Sequence, residues 1–109
     1  MTQSATIDEI KHKLDRVIAK LAERLQDEAT EIVHDTYLHL FEGVEGTLIE
    51  QDANLVEAIE KDFNVTLPKA IADNKSVDEV RDVVTSMQTK LDRAKRLIEK
   101  AEKNRKDVF

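Results

Sequence analysis

Helix-breaking residues are nearly absent from this sequence, and that scarcity constrains its fold more than any other feature. The 109 residues include two glycines and one proline, at Gly43, Gly46 and Pro68. Elsewhere apolar residues recur in steps of three and four, the period of a helix buried along one stripe. The chain is therefore expected to be all-α, a single domain over residues 1–109. The pattern predicts an antiparallel three-helix bundle with long helices at about 7–42, 48–63 and 77–105. A short fourth helix is expected at about 67–73.

The boundaries follow from local chemistry. Thr6 with Glu9, Thr47 with Glu50, and Ser76 with Glu79 have the spacing of a capping box, in which a hydroxyl and a carboxylate satisfy free amides at a helix start. Gly43-Val44-Glu45-Gly46 reads as the first turn, with Gly43 left-handed to end the first helix. The apolar positions Ile7, Ile10, Leu14, Val17, Ile18, Leu21, Leu25, Ala29, Ile32, Val33, Thr36 and Leu40 run up to it without a forced break. Asn64 suits the left-handed end of the second helix, and Pro68 suits a first helical turn, where the amide it lacks would be unpaired. The last helix carries an a/d heptad, Val77, Val80, Val84, Met87, Leu91, Ala94, Ile98 and Ala101, with no polar intruder.

Charge narrows the function. Charged residues make up 37% of the chain and the formal net charge is −6, which argues against general binding to nucleic-acid phosphates. Residues 1–42 carry a net −4, residues 43–74 a net −5, and residues 75–109 a net +3. There is no cysteine, so disulfide and thiolate chemistry are excluded. Residues Met1–Ala5 lack a basic region followed by an apolar stretch, and no apolar run approaches the roughly 20 residues that cross a bilayer. The expected location is cytoplasmic.

No nucleophile–base–orienter set can be assembled from Ser4, Ser76, Ser86 and the three histidines, and no glycine-rich phosphate loop exists. Glu31 and His34 have the Glu-x-x-His spacing of carboxylate-bridged metal sites, but helical phase turns both from the core and no second copy of the motif occurs. His12 reads as surface and His39 as a packing residue at the stripe's edge. No metal and no cofactor are expected.

The remaining signal is an apolar tip. Leu40 belongs to the core stripe, whereas Tyr37, Leu38 and Phe41 project from it by phase. Arg93, Lys95, Arg96, Lys100, Lys103, Arg105 and Lys106 crowd the end of the last helix, where they are placed to complement the helix dipole and have the spacing for i,i+4 pairs such as Asp92–Arg96. The expected partner-binding surface is Tyr37, Leu38, Phe41 and Val44, rimmed by Arg93, Arg96 and Lys100. The expected function is a non-enzymatic protein–protein interaction module: an adaptor, small chaperone or regulatory subunit. Its partner would be another protein or a second copy forming a homodimer. A metal- or small-ligand-binding bundle is the alternative from a different class.

Two resemblances extend this reading. The long helix ending in Phe41-Glu42-Gly43 resembles the WXG100-type secreted helical hairpins, with phenylalanine in place of tryptophan. That similarity covers one tripeptide and the chain length, and implies an exported two-helix hairpin. Such proteins usually carry a C-terminal tyrosine-based export signal, and no tyrosine follows Tyr37. Arg81-Asp82-Val83-Val84, Met87-Gln88 and Leu91-Asp92 are similar to the final helix of BAG-type co-chaperone domains. That similarity implies that basic and glutamine residues of this helix face a chaperone.

Overall fold

The computed structural model describes residues 1–108, with side chains described through Arg105. Among these residues there are helices and no strand, so the chain is all-α. The helices are α1 (Gln3–Ala22), α2 (Gln26–Thr36), α3 (Glu42–Gln51), α4 (Ala53–Lys61), α5 (Leu67–Ala72) and α6 (Val77–Val108). Single π-helical turns at Tyr37–Phe41 and Asp62–Thr66 join α2 to α3 and α4 to α5 without a break. The result is four rods rather than three. Rod one is α1, rod two is residues 26–51, rod three is residues 53–72, and rod four is α6.

The break that makes four rods lies at 23–25, inside the expected first helix. Arg24 takes φ 62°, and the amides of Arg24 and Leu25 donate back to the carbonyls of Leu21 and Lys20. That is the Schellman arrangement that closes a helix end, built without glycine. Asn74 (φ 56°) closes rod three in the same way, its amide and that of Lys75 donating to Ile71 and Ala70.

Gly43-Val44-Glu45-Gly46 is not a turn. Both glycines lie within α3, neither has positive φ, and the chain turns instead at Asp52. Asp52 is extended (φ −160°, ψ 89°), and its carboxylate accepts from the Leu55 amide at 3.0 Å. A short acceptor at this position satisfies an otherwise orphaned donor, which is why the corner forms here. Thr47 and Glu50 consequently sit inside a helix and form no cap. Rod one also starts earlier than expected, with the Thr2 hydroxyl accepting from the Ala5 amide. The two-helix hairpin implied by Phe41-Glu42-Gly43 is not the observed fold, because that tripeptide lies midway along rod two.

Two expectations hold. The Ser76–Glu79 capping box forms in both directions, at 3.1 and 3.2 Å, and α6 runs unbroken for 32 residues, about 48 Å. Its heptad is the spine of the core. Val80, Val84, Met87, Leu91, Ala94 and Ile98 are buried, and Val77 and Ala101 are partly so.

The π turns explain why the expected first and second helices do not end where the sequence suggested. Buried positions on rod two run Ala29, Val33, Thr36, Phe41, Val44 and Leu48. The step of five from Thr36 to Phe41 fits the i→i+5 bonding of a π turn. Rod three buries Ile59, Phe63, Leu67 and Ile71, three consecutive steps of four. In a straight α-helix each such step advances about 40°, so the stripe would drift about 120° round the rod. The wider π turn takes that drift back. Rod three therefore continues past Asn64 and through Pro68, and the short fourth helix is its last segment.

Side-chain pairs set the rods antiparallel. Lys95 bonds to Asp8, Lys11 to Asp92, and Gln88 to Asp15 between α6 and α1. Lys90 bonds to Asp62 and Arg93 to Asp52 between α6 and rod three. Tyr37 meets Glu60, and Gln26 donates to the Ile71 carbonyl, between rods two and three.

Candidate interaction surfaces

The residues chosen from sequence as an apolar tip divide in the structure. Phe41 and Val44 are 0% and 1% exposed, inside the bundle, so the expectation that they present a surface is corrected. Phe41, Phe63 and Tyr37 form one aromatic group with ring centroids 5.8–5.9 Å apart, at the level where the two π turns face each other. Extrapolating rod two's phase at 100° per residue misplaces Phe41, because the π turn shifts it inward. Tyr37 is half-buried, and its hydroxyl donates to Glu60 Oε2 at 3.2 Å. Burial pushes the phenol above its usual range; Asn64 beside it pulls the other way, and Glu45 and Glu60 add to the rise. Leu38 is 52% exposed.

Leu38 is not alone on its side of rod two. Leu38, within the π turn, stands about one turn before Glu42, and Glu42, Glu45 and Ile49 follow at i, i+3 and i+7 on one face of α3; Ile49 is 50% exposed. Rod three adds Glu60 and the exposed Glu57 across the seam. From Phe41 to Glu60 there are six acidic residues and no lysine or arginine. Glu45 registers this crowding: burial raises its carboxyl above the ordinary range, and Glu60 and Glu42 raise it further. Asp52 at the end of the seam is the exception. The Leu55 amide and then Arg93 hold its carboxyl below the ordinary range. The signal for this surface was in the sequence, as the most acidic third of the chain with an apolar residue off the core stripe at Ile49.

The basic rim lies elsewhere. On α6, Gln88, Asp92 and Lys95 face α1, while Lys90 and Arg93 face rod three. At about 100° per residue this turns Thr89, Arg96 and Lys100 away from both neighbours, opposite the buried heptad. Arg96 and Lys100 are exposed and, among the described residues, have no ion-pair partner. Arg93 is engaged with Asp52 at 3.2 Å and Lys95 with Asp8 at 2.9 Å. The Lys106 side chain lies outside the described residues. The structure does not gather Arg93, Arg96 and Lys100 around Leu38; they line the outer face of rod four.

A third feature was not anticipated. A cleft of about 590 Å³ opens along the seam of α1 and α2. Glu9, Lys13, Arg16 and Lys20 form one wall, Glu28, Glu31, Asp35 and His39 the other, and Ile32, Thr36 and Leu40 the floor. Lys20 reaches Glu28 at 3.5 Å, so the walls close at that end. Glu31 and His34 are both exposed, as their phase predicted, and no group of three His, Asp or Glu among the described residues is placed to hold a metal ion. Among the described residues no helix is long and apolar enough to cross a membrane. No family model matches the chain, and no curated protein or solved structure matches it.

Proposed function

We propose that the chain is a non-enzymatic protein-interaction module whose docking surface is the seam of rods two and three, and whose partner is a cationic helix face. One observation carries the reading. Leu38 and Ile49, half exposed, share a helix face with Glu42 and Glu45, whose carboxylates crowd with Glu60 and have no cation beside them among the described residues. A helix that lays lysines or arginines across this face would cover the leucine and isoleucine with their aliphatic stems and relieve the repulsion. Tyr37, half-buried at the edge of the seam, supplies the aromatic component that such contacts favour.

The test is calorimetric titration of a synthetic Leu/Lys amphipathic peptide, with a Leu/Glu peptide as control. The lysine peptide should bind and the glutamate peptide should not. Leu38→Ser with Ile49→Ser should weaken binding by roughly tenfold or more, the value of burying one aliphatic side chain. Equal binding of both peptides, or no effect of the double substitution, would refute the reading. The α1–α2 cleft favours a second reading, a small-ligand-binding bundle whose ligand carries both charges. Arg16→Glu should abolish its binding of a zwitterion in a thermal-shift screen and leave peptide docking unchanged.

A further inference from the structure

The chain carries, on a different side, a helix face with the charge that the acidic seam lacks. Thr89, Arg96 and Lys100 line the outer side of α6, with Arg93 and Lys103 on its flanks and all five exposed. From Arg93 to Lys103 this face spans ten residues, about 15 Å of helix. From Leu38 to Ile49 the seam spans eleven residues, a closely matching length. The two faces cannot meet within one molecule. α6 buries its heptad toward the core and bonds α1 on one flank and rod three on the other, which leaves its outer side turned to solvent.

We infer that the seam's partner is a second copy of this chain, docking the outer face of its α6 across Glu42, Glu45 and Glu60. This rests on the docking reading above and names its occupant. Arg96 and Lys100 supply the charge, and their aliphatic stems cover Leu38 and Ile49. Because the two surfaces differ, the contact is heterologous. Each added copy leaves one seam and one α6 face open, so assembly runs head to tail beyond a dimer unless it closes into a ring. The contact depends on ion pairs at an exposed face and is therefore screened by salt.

Sedimentation velocity on the full chain tests this directly. At low salt the mass should rise with concentration past that of a dimer, and at high salt it should fall to a monomer. Arg96→Glu with Lys100→Glu should be monomeric at low salt, as should Glu42→Gln with Glu45→Gln, whose neutral seam makes no new pair with the first variant's glutamates. Mixed in equal amounts, the first variant keeps its seam and the second keeps its basic face, so one productive contact remains. The mixture should give a dimer and nothing larger. Should the glutamine variant fail to keep its helical signal, Leu38→Ser with Ile49→Ser replaces it as the seam-deficient partner. A wild-type chain that stays monomeric at low salt overturns the inference, as does a variant pair that does not form the dimer. Lysine-peptide binding measured on the same samples separates the two claims. Peptide bound without self-association sinks the second copy alone, whereas loss of both sinks the docking surface.

Discussion

Leu91 sits at 0% exposure in the middle of α6, within the hydrophobic core. Leu91→Ala should cost about 2–5 kcal/mol, the range for a cavity left by a buried leucine. Leu91→Asp should leave the chain unfolded, because it buries a charge with no partner. A circular-dichroism melt unchanged by either substitution would contradict the packing. Arg24 makes the opposite case. It holds a left-handed backbone that an L-residue adopts at a cost of about 1 kcal/mol or more, and it is exposed. Arg24→Gly should therefore raise stability by about 1 kcal/mol in urea titration. A drop would mean that the arginine side chain holds the corner by contacts. Individual core residues were largely legible, since burial follows periodicity. Arg24 was not, because nothing about arginine marks a helix end; Asn74, doing the same job, is a residue type that does.

Elements ended where side-chain acceptors and backbone geometry allowed, not where glycines fell. The sequence reading took Gly43 and Gly46 as a turn, and the structure puts both in α3 on the solvent side. Nothing lies within 4 Å of a Cβ built at either one. In a helix interior a glycine costs roughly 0.5–1 kcal/mol relative to alanine. Gly43→Ala and Gly46→Ala should each stabilise the protein by about that amount, read as a rise in the urea midpoint. At a turn with positive φ the same changes would destabilise, so the sign distinguishes the two placements. The all-α class, the heptad of α6 and its capping box were legible because they rest on local chemistry. The corner at Asp52 was less so, since its carboxylate competes with the nearby Thr47–Glu50 spacing for the same role. The π turn on rod three left a trace, three apolar steps of four, whereas on rod two the buried step of five from Thr36 to Phe41 is masked in the sequence by Leu40, which continues the α-helical spacing. The docking surface inherited this error. α-helical phase turns Phe41 outward, and Ile49 is not among the surface residues expected from sequence.

Over the whole molecule the charges are sorted by face, and that sorting gives stability a pH signature. Asp52 and Glu79 have carboxyls held below their ordinary range, by the Leu55 amide and by the Ser76 backbone amide respectively. What they contribute is present above their unfolded values and is lost as acid protonates the native state. Glu45 runs the other way. Burial, with Glu60 and Glu42 nearby, makes its native carboxyl hold a proton more tightly than the unfolded chain does. Ionising it therefore works against folding, and the penalty is fully present at neutral pH and vanishes once the pH falls below its unfolded range. Glu45→Gln should melt at a higher temperature than the wild type at pH 7, and the gap should close as the pH drops through the carboxylate range. Both proteins should still lose stability in acid, because Asp52 and Glu79 titrate in each. A gap that stays constant across the titration would assign the gain to packing at residue 45. A gap that widens in acid would reverse the sign of the repulsion between rods two and three.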